Sequence, residues 1–205
     1  MASIIDEAIP VQAHELIRDR IGEILAVELP RQATLNSDDN LSATVFIERF
    51  AKIDRSEGPV VNVTFEAWEE LSKDATMQKN RYTFNVDCYH QSKATSSGRG
   101  DTLAQMHLQR LMGVCRGVIN HSKYKTLAFD PPFIGWRSAN KAQIQLQTEA
   151  QGAASMVMGR VVVTVEATQT ELVSQGVLIK GWISTVKLSE TDLGYVFTEF
   201  PDPNP

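Results

Sequence analysis

Two cysteines, Cys88 and Cys115, are all that 205 residues contain. A fold stapled by a disulfide framework is thereby excluded, and a reducing compartment is expected. Histidine is scarce too, at four residues. Cys88 and His90 lie two apart and share a strand face, and His107 or His121 are the further ligands a metal would need. The tight paired spacings of zinc sites are missing, so no metal site is expected. An excess of positive charge is also lacking: the net charge is -5 and the pI near 5.4, which argues against a nonspecific nucleic-acid binder. No long apolar run occurs, and the first residues carry acids where a leader has a basic start. Neither a signal peptide nor a transmembrane helix is expected. There is no repeat at solenoid period. The three tryptophans, Trp68, Trp136 and Trp182, stand too far apart in sequence to argue as one ligand cage, and core or interface anchors are expected.

What is present is ordinary globular usage, 42% hydrophobic and 22% charged, enough for a core. A single α+β domain over residues 1–205 is expected. Pro10 opens a helix in which Ile17, Ile21, Ile24 and Leu25 repeat at helical spacing, and Pro30 is expected to stop it. Thr34 to Asn40 reads as a loop. Three alternating stretches follow: Val45 with Ile47, then Val61, Val63 and Phe65, then Tyr82, Phe84, Val86 and Cys88. Period two with one wet face predicts a sheet covered on one side. Gln91 to Gly100 is a small-residue loop. Asp101 caps a second helix that sets Ala104, Leu108, Leu111, Cys115 and Val118 on one face. Two helices on the dry face of an antiparallel or mixed sheet make a two-layer sandwich. Further strands are expected near Phe133–Trp136, Ala142–Leu146, Val157–Glu166 and Val177–Leu188. Residues 150–190 read as an extended β-hairpin or arm, and 200–205 as a loose C-terminal end.

No motif carries chemistry. Ser97 to Thr102 places two glycines before a helix, where free N–H groups bind phosphate. It lacks the lysine of a P-loop and the spacing of a dinucleotide fingerprint. A flexible loop ending in a cap is the expectation, and the embedded Arg99-Gly100-Asp101 is chance. Cys88 is expected to pack as a small hydrophobe and Cys115 to be buried. Glu66, Glu69, Glu70 and Asp74 form an acidic patch, and nothing places one of them in the apolar pocket that acid–base chemistry needs. Asn40, Asn62 and Asn120 match glycosylation sequons, which carry no meaning without secretion. Gln143, Gln145 and Gln147 line one strand face, as a protein contact or a wet sheet surface. Catalytic, cofactor-binding and metal-ligating residues are therefore none.

The element order resembles the tail terminator, or tail completion, proteins of tailed bacteriophages. The resemblance runs from about Val11 to Glu166. It rests on the opening helix Val11–Leu29, the run Arg81-Tyr82-Thr83-Phe84-Asn85-Val86-Asp87 with its loose loop, and the helix Asp101–Asn120 leading into a strand. It implies three antiparallel strands between two helices. It implies a virion structural protein without enzymatic activity or cofactor, forming a ring of typically six subunits on the head-proximal end of the tail tube. Such a ring ends tube growth and offers an interface to the neck. The implied partners are the tail tube protein, the neck or connector proteins and, for a contractile tail, the sheath. DNA passes through the lumen unbound, past acids such as Asp38 and Asp39 or Glu66, Glu69 and Glu70. Val157–Glu166 is a candidate exposed edge for pairing with a neighbouring sheet. The assembly would occur in the host cytoplasm and end in the virion. Another neck, connector or tail-tube protein is the near alternative. A small cytoplasmic enzyme using Cys88, His90 or the acidic patch is the distant one, and a tryptophan-based ligand-binding adaptor the third.

Overall fold

A computed structural model describes residues 8–51, 53, 57–73, 77–93, 99–145, 154–170, 182–186 and 195–199. Contacts divide the chain into two units, Met1–Glu171 and Leu172–Pro205. The first holds α1 (Ala13–Asn36), β1 (Thr44–Ile47), β2 (Val60–Lys73), β3 (Met77–Lys93), α2 (Gly100–Asn120), β4 (Ile134–Gln145) and β5 (Ala154–Thr170). The second holds β6 (Trp182–Val186) and β7 (Tyr195–Glu199), an antiparallel pair. The architecture is α+β with a mixed five-stranded sheet in the order β1-β2-β3-β5-β4. No helix among the described residues is long and apolar enough to cross a membrane.

One core joins both helices to the sheet. Ile17, Ile21, Leu25 and Leu29 descend from α1, and Ala104, Leu108, Leu111 and Cys115 from α2. They meet Val61 and Val63 of β2, Phe84 and Val86 of β3, and Val161, Val163 and Val165 of β5. The period-two stretches supply these residues because alternate side chains of a strand share a face. α1 starts on a reciprocal cap in which the Gln12 backbone N–H donates to Glu15 Oε2 at 2.9 Å. Gly159 lets α2 approach the sheet: a Cβ there would lie 2.3 Å from Met112 Sδ.

Four expectations are corrected. First, Pro30 lies inside α1, which continues to Asn36. Leu29 and Ala33 are buried on either side of it, whereas Ala26 and Pro30 face solvent, where water can serve the Ala26 carbonyl that loses its partner. Second, β1 runs parallel to β2, so the three strands are not all antiparallel. β2 begins beside the start of β1, where the Thr44 N–H donates to the Pro59 carbonyl at 2.9 Å. Arg49 grips Glu57 through two 2.6 Å contacts and exchanges backbone hydrogen bonds with the Asn62 amide. Third, Val157–Glu166 is no edge or arm: β5 pairs with β3 along its length on one side and with β4 over Met158–Ala167 on the other. Val161, Val163 and Val165 face the core, whereas Arg160, Val162 and Thr164 lie on the opposite face. The part of the expected 150–190 arm at 154–170 therefore belongs to the main sheet. Fourth, Asp101 sits in the first turn of α2, with Arg99 at the cap. Asp74, residues 94–98, Gln147, residues 171–181 and the end at 200–205 lie outside the described residues.

Candidate functional site

The polar seam between β3 and α2 tests the sequence's cysteine and histidine candidates. Cys88 and Cys115 are both fully buried, with their Sγ atoms 3.9 Å apart. Contact with Cys115 and burial hold the Cys88 thiol well above its ordinary range, so it is a poor nucleophile. Two residues along, His90 packs its ring 5.1 Å from that of His107. His90 is buried, and neither ring nitrogen meets a hydrogen-bond partner among the described residues. Burial, aided by the charge of His107, lowers its pKa to about 4. Helix α2 carries the partners eight residues apart, so the pairs form two separate contacts. Among the described residues no group of three or more His, Cys, Asp or Glu could hold a metal ion. His121 is elsewhere, accepting from the Lys123 N–H at 3.2 Å at the end of α2.

The acidic patch lies on β2, which continues to Lys73. Glu66, Glu69 and Glu70 are all exposed. Glu69 contacts Arg81 at 3.3 Å, and Glu70 accepts from Gln78 Nε2 at 2.5 Å. Arg81 and Lys79 both reach Glu166, holding its carboxyl below the usual range. These are surface pairs, each worth little in water. Between the acids stands Trp68, 63% exposed and edge-on to His14 of α1 at 5.9 Å. Asp38 accepts from Asn40, which lowers its pKa, and Asp39 is exposed.

The sheet face turned from the helices carries a different chemistry. Asp87 and Arg160 form a two-point pair at 2.6 and 2.9 Å across β3 and β5. Asn85 beside them is buried and its Oδ1 has no partner among the described residues. A shallow open trough of about 320 Å³ runs here past Lys141 and Gln143. Gln143 is thus on a wet sheet surface, while the Gln145 side chain is outside the described residues.

Two features escaped the sequence reading. One is the rim of the sheet: among the described strands, β4 has β5 on one side and nothing on the other, with Trp136 and Ile144 exposed along it. The other is a groove of about 430 Å³ between α1 and α2. The helices run antiparallel there, with Arg110 Nη2 on Asn36 Oδ1 at 2.6 Å and Tyr124 on Glu28 at 2.6 Å. Leu35, Val114, Gly117 and Val118 line it, along with Arg31, Arg110 and Lys123. No protein-family model matches the chain, and comparison with curated proteins gives no significant match.

Proposed function

We propose that this chain is a virion structural protein that forms a ring, six subunits by the resemblance, on the head-proximal end of a phage tail tube. The ring ends tube polymerisation and presents a surface to the neck. The observation that supports this best is the rim of β4: twelve residues of strand paired on one side only among the described residues, with Trp136 and Ile144 exposed. A strand of that length with apolar side chains is a liability in isolation and invites a partner. A ring contact is heterologous, so one patch meets a different patch on the next copy. The acids Asp39 and Glu66 are exposed, as a lumen that lets DNA slide past requires.

The test is negative-stain imaging and light scattering of the purified chain, alone and with tail tubes. Ring particles that seat on one tube end and stop its extension are expected. A strictly monomeric protein that leaves tubes growing overturns the reading. Rings found along the tube or in the neck reassign the protein to another component of the same particle.

A further inference from the structure

Resting on the ring reading, the structure points to a specific subunit contact: we infer that the α1/α2 groove receives the Trp68 end of β2 from a second copy of this chain. The groove inverts the sign of an otherwise acidic protein. Arg31, Arg110 and Lys123 outnumber its one carboxylate, Glu28, which accepts from the Tyr124 hydroxyl and lies 3.9 Å from Arg31. Its floor is apolar and low. Leu35 is 68% exposed, and a Cβ built on Gly117 meets nothing within 4 Å. The fitting object is an aromatic plate flanked by acids.

Trp68 provides that plate on an exposed strand, with Glu69 next to it and Glu70 one step further on its own face. An indole is the side chain most often found anchoring an interface, and its acid neighbours match the cationic rim. The contact cannot form within one chain. Trp68 packs at His14, whereas the groove centres near Gln32, about 27 Å further along the same helix at 1.5 Å per residue. Two distinct patches on one surface are what a closed cyclic contact needs. A cationic groove could also hold nucleic-acid phosphates, and the test separates that outcome.

Two full-length variants carry the experiment: E69K/E70K, with a basic strand end, and R31E/R110E, with an acidic groove. All four positions are exposed, so folding should survive, and circular dichroism checks it. By analytical ultracentrifugation each variant alone should self-associate roughly thirtyfold more weakly than the parent chain. Mixed together they should assemble again, because each basic end meets an acidic groove and each acidic end a basic one. Misfolding cannot produce that recovery. Trp68→Ala and Gly117→Leu should each weaken assembly without a partner variant that rescues it. If the parent chain forms rings and both charge variants do so equally well, this contact is overturned while the ring reading stands. A parent chain that is monomeric throughout sinks both. Binding of duplex DNA that R31E/R110E alone abolishes, with assembly intact, makes the groove a phosphate site and overturns the contact.

Discussion

His90 is the residue whose environment is most at odds with its chemistry. A side chain able to carry charge near neutrality is held in the core, ring to ring with His107 and with Asp38, just after α1, exerting the opposite pull. Its pKa falls from 6.5 to about 4 in the fold. The sign follows from linkage. Above pH 6.5 the ring is neutral in both the folded and the unfolded chain, and stability is complete. As pH falls from 6.5 towards 4, the unfolded chain takes up a proton that the fold refuses, and stability drops by roughly 1.4 kcal/mol per pH unit through that window. Urea unfolding at pH 7, 6 and 5 should show this slope in the parent chain and a flatter one in His90→Leu. Equal slopes would mean that His90 is protonated in the fold. The cysteines beside it have no comparable role: both were expected in the core from their positions on apolar faces, and both are there.

Among elements, α1 shows where pattern and local propensity part. The apolar spacing of Ile17, Ile21, Ile24 and Leu25 was legible, and so were the alternating cores of β2 and β3. What failed was punctuation. Pro30 reads as a stop because it removes an N–H, yet tertiary burial of Leu29 and Ala33 carries the helix through it. That leaves a local cost, so Pro30→Ala should stabilise the protein by about 1–2 kcal/mol, the helix-interior penalty of proline less the unfolded-chain entropy it removes. The urea midpoint should rise with an unchanged slope. No gain would mean that packing of α1 against the sheet depends on the proline's bend. Strand direction was equally hidden: alternation marks Val45 and Ile47 as strand but not that β1 runs parallel to β2, because the Arg49–Glu57 and Arg49–Asn62 contacts beside that pairing are invisible in periodicity. The groove between α1 and α2 depends on which helix faces oppose each other, and only the fold decides that.

At the scale of the molecule, the division at Glu171 asks which unit would carry the proposed assembly. Among the described residues, the core cluster falls between Ala13 and Ala167. So do the rim of β4, the Trp68 strand end and the cationic groove. The second unit contributes the β6–β7 pair, joined only to itself among the described strands. A chain ending at Glu171 should therefore unfold in one cooperative step, because it keeps every described core residue, and it should assemble to the same stoichiometry as the parent. Thermal unfolding by circular dichroism reads the first outcome and light scattering the second. A truncated chain that fails to fold would show that residues 172–205 complete the core. One that folds but stays monomeric would move the subunit contact into the second unit and leave the strand-end docking without a role, since that contact needs nothing beyond the first unit. Retained rings that no longer seat on tube ends would divide the work differently: the first unit would close the ring, and residues 172–205 would recognise the tube.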